Sequence, residues 1–236
     1  MVNRWLRRLE ALLLPHQCLV CGAGGEDGLD LCRGCGEDLP WNRRPCIRCA
    51  NLLPPGSPVN SECGKCQSGE TPAGFDRIHA PLLYDFPVDR LIQSLKFDGR
   101  LPPGRMLGEL CAHTLLQEDR PRPDALLPVP LHPTRWRERG FNQARELARP
   151  LSRALNAPIL DGLAHRTKTG PAQAELPLEK RRGNVRGLFE IRGKAPAHVA
   201  IVDDVVTSAS TVAELARCLK RAGAERVEVI AIARTP

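Results

Sequence analysis

Apolar positions in this chain fall into short runs separated by stripes at helical spacing, most plainly in the last third. His198 opens the run Val199-Ala200-Ile201-Val202, which ends on Asp203 and Asp204. Val205 and Val206 lead into a small, hydroxyl-rich stretch, Thr207-Ser208-Ala209-Ser210-Thr211, and a helical stripe follows through Leu215, Leu219 and Ala222. The local prediction is strand, loop, helix. Upstream, residues 77–84 read as a strand, and 88–97 as a helix stopped by Asp98-Gly99. A second helix is predicted over 106–117, and a strand closed by prolines over 125–130. Residues 141–155 have helical spacing that Pro150 is expected to kink or restart. Short strands are expected near 159–163 and 187–192, and a final apolar strand over 226–233. Alternating strands and helices of this kind predict an α/β domain with a mainly parallel sheet flanked by helices. At the other end, Trp5, Leu6, Leu9, Leu12 and Leu13 make an amphipathic stripe over 2–14, with Arg4, Arg7 and Arg8 among them and Pro15 closing it. That stripe fits a helix packed on its neighbour better than one lying on a membrane surface.

Composition sharpens this picture in two places. The 236 residues carry a net charge of +7, which favours anionic ligands such as phosphates or nucleic acid. No apolar run is long enough to span a bilayer, and the N-terminal apolar piece is too short for a signal peptide. A cytoplasmic protein is the expectation, and in a reducing compartment ten cysteines argue for metal rather than disulfides. Eight of them form four C-x-x-C pairs: Cys18/Cys21, Cys32/Cys35, Cys46/Cys49 and Cys63/Cys66. Two such knuckles complete a tetrahedral zinc site of four thiolates, so four knuckles suit two structural zinc ions. Taken in order, the first four cysteines share one ion and the last four the other; spacing alone also admits cross-pairing. The region is small, polar and rich in Gly and Pro, so metal is expected to supply its folding energy. Cys111 and Cys218 stand alone in helical stretches and read as core thiols.

The 199–211 stretch carries chemistry. Ligands of open α/β sheets bind just past the carboxyl ends of strands. The amides of a tight loop and helix start, with the hydroxyls of Thr207, Ser208, Ser210 and Thr211, suit a phosphate. Asp203 and Asp204 would repel that anion but can accept hydrogen bonds from sugar hydroxyls. Together they describe a site for a ribose 5-phosphate. A second basic stretch, Arg135 through Arg139 with Gly140, Asn142 and Gln143, follows the strand near 125–130, and arginine forks there can bind phosphate oxygens. A third, residues 165–187, is basic and polar with little apolar periodicity, as a lid over a pyrophosphate could be.

The 199–211 string resembles the phosphoribosyl pyrophosphate (PRPP) signature of type I phosphoribosyltransferases, in which two acids precede a T-T-G-A-T-like loop. It departs at Ala209, where that family usually has Gly. The order of tandem knuckles, L-I-Q-S-L-K-F-D-G at 91–99, P-V-P-L-H-P-T-R-W-R-E-R-G-F-N-Q at 128–143, R-R-G-N-V-R-G-L-F at 181–189 and then the PRPP loop is similar to the ComF family over nearly the whole chain. The resemblance implies an N-terminal helix over 1–17, a double zinc ribbon over 18–70 and a phosphoribosyltransferase domain over 75–236. It also implies PRPP bound with Mg²⁺, glycosyl transfer to an acceptor that it does not name, and an association with DNA uptake in natural transformation. Asp203 and Asp204 would then serve catalysis at the ribose. Residues Val205, Val206, Thr207, Ser208, Ala209, Ser210 and Thr211 would bind PRPP, with Arg135, Arg137, Arg139 and Lys96 on the pyrophosphate. A non-catalytic PRPP sensor and a competence factor that binds single-stranded DNA, in contact with the DNA-uptake machinery, are the competing expectations.

Overall fold

The computed structural model describes residues 15–167 and 187–236. The amphipathic stripe over 2–14 and most of the third basic stretch lie outside the described residues. The cysteine-rich region holds two short helices, α1 (Arg33–Glu37) and α2 (Gly64–Gln67). After it come β1 (Arg77–His79), β2 (Leu82–Leu83), α3 (Val88–Phe97), α4 (Leu101–Leu116) and β3 (Ala125–Pro128). The chain continues through α5 (Pro133–Arg139), α6 (Gln143–Leu155), β4 (Ala164–Arg166), β5 (Phe189–Ile191), β6 (His198–Val206), α7 (Ser210–Arg221) and β7 (Arg226–Arg234).

The two longest apolar runs, β6 and β7, pair in parallel from His198↔Arg226 to Val206↔Arg234 and form the middle of the sheet. β3 lies outside β6, while β1 and β2 share the outer lane along β7, so the order is β1/β2-β7-β6-β3 with every pairing parallel. Alternation along the central strands splits the core. Val199, Ile201, Val227 and Val229 face α7 and the second cysteine cluster, whereas Ala200, Val202, Ile230 and Ile232 face α3, α4, α6 and the first cluster. Each cluster therefore packs on a different face of one sheet. β4 and β5 form a separate antiparallel ribbon.

Several boundaries differ from the sequence expectation, each for a local reason. The strand over 77–84 is interrupted at Ala80-Pro81, because a proline cannot donate to the ladder. The helix expected from 106 starts at Leu101, since Pro102 and Pro103 sit in its first turn, where no intrahelical donor is needed. The arginine stretch is not an irregular connection: His132 accepts from Thr134 N, and Gly140 at φ 74° closes helix α5 by donating to Trp136 O. Asn142 then caps α6 by accepting from Ala144 N at 2.9 Å, which delays that helix to residue 143. Pro150 does not break α6. Its ring packs against Gly108 of α4, where a β-carbon would crowd Pro150 and fall 2.8 Å from Leu147 O.

Candidate functional site

The carboxyl ends of β3 and β6 bring the predicted residues to one edge. β6 carries Asp203 and Asp204 near its end, and the chain then folds over Thr207–Ala209 into α7. Ala209 takes the left-handed conformation at φ 60° and acts as the N-cap of α7. This is the position where a glycine would be free of the β-carbon penalty. Ser208 Oγ lies 3.1 Å from Ser210 Oγ and accepts weakly from Ser210 N at 3.4 Å, so the hydroxyls already face one another in the turn. The first N–H groups of the twelve-residue α7 lack intrahelical acceptors and point out of this turn.

The two carboxylates are not equivalent. Asp204 is buried, and Lys96 Nζ of α3 stands 2.6 Å from its Oδ2, an ion pair by distance that lacks a hydrogen-bond approach angle. Asp203 keeps some surface in contact with solvent, but its carboxyl is held well above the usual range, first by burial and then by the charge of Asp204, with Lys96 acting against both. Beyond Lys96, Arg139 and Arg166 also act on the two carboxylates. Burial and then Arg135 lower the Arg139 pKa while Asp204 raises it; burial lowers that of Arg166, with Asp203 acting against it. Arg139 is held over the Phe97 ring at 5.4 Å and donates to Gln143 Oε1 at 3.1 Å. Beside β3 an open cleft of 710 Å³ is walled by Trp136, Phe141, Asn142 and His165. The edge thus has two acids for hydroxyls, a helix start for one anion and arginines for another.

The cysteines form two groups, Cys18, Cys21, Cys32 and Cys35, and Cys46, Cys49, Cys63 and Cys66, each with all four Sγ atoms within 4.8 Å of one another. The in-order pairing is the one adopted. The Sγ–Sγ separations are 3.7 Å for Cys21–Cys32, 3.7 Å for Cys46–Cys66 and 3.5 Å for Cys49–Cys63. A zinc ion with Zn–S of about 2.3 Å requires tetrahedral edges of about 3.8 Å, so both groups fit zinc. His16 is not a ligand; its Nδ1 pairs with Asp30 at 2.7 Å.

A double zinc ribbon domain matches residues 9–67, and a phosphoribosyl transferase domain matches residues 138–236. The DNA utilization protein YhgH of Escherichia coli (strain K12) is 33% identical over 98% of this chain and 96% of its own length. Competence protein F of Haemophilus influenzae is 32% identical over 86% of this chain and 90% of its own. The chain belongs to the ComF family. Competence protein ComFC of Bacillus subtilis matches a shorter stretch, 29% identical over 42% of this chain and 39% of its own. Among solved structures, a purine phosphoribosyltransferase from Pyrococcus horikoshii covers 63% of this chain and 82% of its own at 17% identity and a TM-score of 0.28. The fold is that of a type I phosphoribosyltransferase, a parallel sheet flanked by helices, joined to an N-terminal zinc ribbon with two structural four-cysteine zinc sites. Among the described residues, no helix is long and apolar enough to cross a membrane.

Within this ComF chain the edge gathers Asp203, Asp204, residues 205–211, Lys96, Arg135 and Arg139. Arg137 is exposed, and no interaction joins it to the carboxylates among the described residues. Lys96 meets Asp204 directly. Two residues carry more than their sequence context suggested. Arg166 was only one cation of the basic stretch 165–187, and Arg234 lies just past the strand expected over 226–233.

Proposed function

We propose that this edge binds PRPP with Mg²⁺ and transfers its ribosyl 5-phosphate to an acceptor. The observation that carries the reading is the adjacent Asp203–Asp204 pair, followed at once by the Ala209 turn into the N-terminus of α7. Asp203 and Asp204 accept hydrogen bonds from the ribose hydroxyls, and residues 207–211 receive the 5-phosphate. Arg135 and Arg139 face the pyrophosphate, with Arg137 and Lys96 as further cations on that side. In the reaction the bond from C1 to the pyrophosphate oxygen breaks, its electron pair leaves with pyrophosphate, and a new bond forms from C1 to the acceptor. The acceptor's proton passes to solvent. Fixed guanidinium groups aimed at the departing charge lower that barrier. Mg²⁺, a hard cation that prefers oxygen, would neutralise pyrophosphate charge at the same edge, where the Asp carboxylates and PRPP offer oxygen ligands. The cleft beside Trp136 and Phe141 offers space for the acceptor.

The names of the relatives, DNA utilization and competence, support a role for this chemistry in the use or uptake of DNA, and cysteines gathered for zinc rather than paired in disulfides suit a reducing, cytoplasmic setting. Direct contact with single-stranded DNA, or with the uptake machinery, draws support from the net charge of +7 and the exposed cations of α5. A PRPP sensor without turnover is the competing reading. Incubation with PRPP, Mg²⁺ and pooled acceptors, with pyrophosphate release followed, separates the two. Calorimetry on wild type and Asp204→Ala accompanies it. Binding lost in the variant and pyrophosphate released in at least one pool is the expected result. Equal affinity in both proteins, or none in folded wild type, sinks the PRPP site; binding without release in any pool favours the sensor.

A further inference from the structure

Arg234 ends β7 and is only 6% exposed. Among the described residues its guanidinium meets no carboxylate; it reaches the Cys49 side chain and donates to three backbone carbonyls. Nε donates to Cys49 O at 3.1 Å, and Nη1 donates to Val206 O at 2.7 Å and to Thr207 O. One acceptor therefore belongs to the second cysteine cluster, and two belong to the head of the loop that turns into α7. A buried guanidinium without an anion is costly. Four thiolates around one Zn²⁺ carry a net charge of about −2, which supplies the missing counter-charge through Cys49 and its neighbours.

Hydrogen bonds join the rest of the contact. Ile78 N donates to Arg48 O, Asn42 N to Pro81 O and Leu83 N to Pro40 O, so the Cys46/Cys49 knuckle and the segment before it are bonded to the β1/β2 lane. The buried Asn42 side chain donates to Ala50 O at 2.8 Å and to Ala80 O at 3.2 Å across the same seam. The first cluster packs on the opposite face of the sheet. A guanidinium fork is planar, so a shift of the Cys49 carbonyl is passed to the carbonyls of Val206 and Thr207, two residues before strained Ala209.

We propose that Arg234 is a positioning residue through which zinc at the second cluster holds the Thr207–Ala209 turn ready for ligand, so that PRPP affinity depends on metal at that cluster. This rests on the PRPP reading above. Coupling of binding equilibria is reciprocal. Bound PRPP must therefore strengthen zinc retention at Cys46, Cys49, Cys63 and Cys66.

The test is equilibrium competition for zinc. Zinc-loaded wild type is titrated with a zinc-selective chelator, with and without saturating PRPP and Mg²⁺, and PRPP affinity is measured by calorimetry. One of two zinc ions is expected to need about tenfold more chelator when PRPP is bound, the size of effect that loss of charged hydrogen bonds to the turn implies. Weak chelation by PRPP itself acts in the opposite sense. Arg234→Met is expected to bind PRPP about tenfold more weakly or worse and to lose the protection of zinc. Arg234→Lys keeps the charge without the fork and should fall between; if Arg234→Met does not fold, Arg234→Lys decides. Unchanged zinc competition in wild type that binds PRPP overturns the proposal and leaves the PRPP site standing. Wild-type PRPP affinity in the folded Arg234 variants does the same. No PRPP binding by zinc-loaded wild type overturns both.

Discussion

At the scale of single residues, the Asp203–Asp204 pair concentrates the cost of function. Lys96 is the ion partner of Asp204, whose side chain is 5% exposed. Removing a partner from a buried charge costs about 3 kcal/mol. Lys96→Met is therefore expected to lose about that much stability in denaturant unfolding, partly offset because Lys96 itself is 21% exposed. Asp203 gives a pH signature. Its folded pKa is raised by burial and by Asp204, so the folded state holds this proton more tightly than the unfolded chain. The contribution is fully present below the unfolded pKa near 3.8 and is lost as pH rises towards the raised folded value. Asp203→Asn should flatten that decline and stabilise the protein at neutral pH, while weakening PRPP. Glu118 acts in the opposite direction. Burial opposes its charge, but His79, Arg120 and Arg77 together draw it down to about 2, so its contribution is lost as pH falls from 4.5 towards that value. Thermal unfolding against pH in wild type, Asp203→Asn and Glu118→Gln separates the two limbs. Ala209 is the third local cost: at φ 60° a β-branched side chain is strained further, so Ala209→Val should lose PRPP binding and Ala209→Gly should keep it.

Elements were legible where one periodicity ruled without interruption. The helix 88–97 and the strands that became β6 and β7 follow from their apolar spacing, and their ends lie within a few residues of expectation. Boundaries moved where a capping side chain decided them, as at His132 and Asn142, because a cap depends on one rotamer rather than on a pattern. Pro150 shows the limit of a propensity argument. The missing donor inside α6 is tolerated because the ring fills the space above Gly108, a contact between helices that spacing along one helix does not encode. Gly108→Ala places a methyl against Pro150 and the Leu147 carbonyl, and is expected to cost about 2 kcal/mol by overpacking. A chemical denaturation midpoint for that variant, with the slope unchanged, is the measurement that checks it.

For the whole molecule, charge and metal are the levers. A net charge of +7 with sparse aromatics implies that any oligonucleotide affinity comes mostly from phosphate contacts. Fluorescent single-strand binding should then fall steeply between low and moderate salt. Binding that ignores salt contradicts this, and competition by PRPP would place the strand across α5.

The sequence by itself determined the number of cysteine knuckles, the apolar runs that must be strands, and the order of acids, small loop and helix that defines the candidate site. Those are local facts, carried by residue type and by spacings of two, three or four. The tertiary structure alone decided which knuckles share an ion, that the two clusters lie on opposite faces of one sheet, and that Lys96 and Arg139 converge on Asp204. It also made Arg234 a bridge between a cluster and a loop separated by well over a hundred residues. The physical reason is that a buried charge is specified by its partners, and partners brought together by parallel strand pairing leave no periodic trace in the chain.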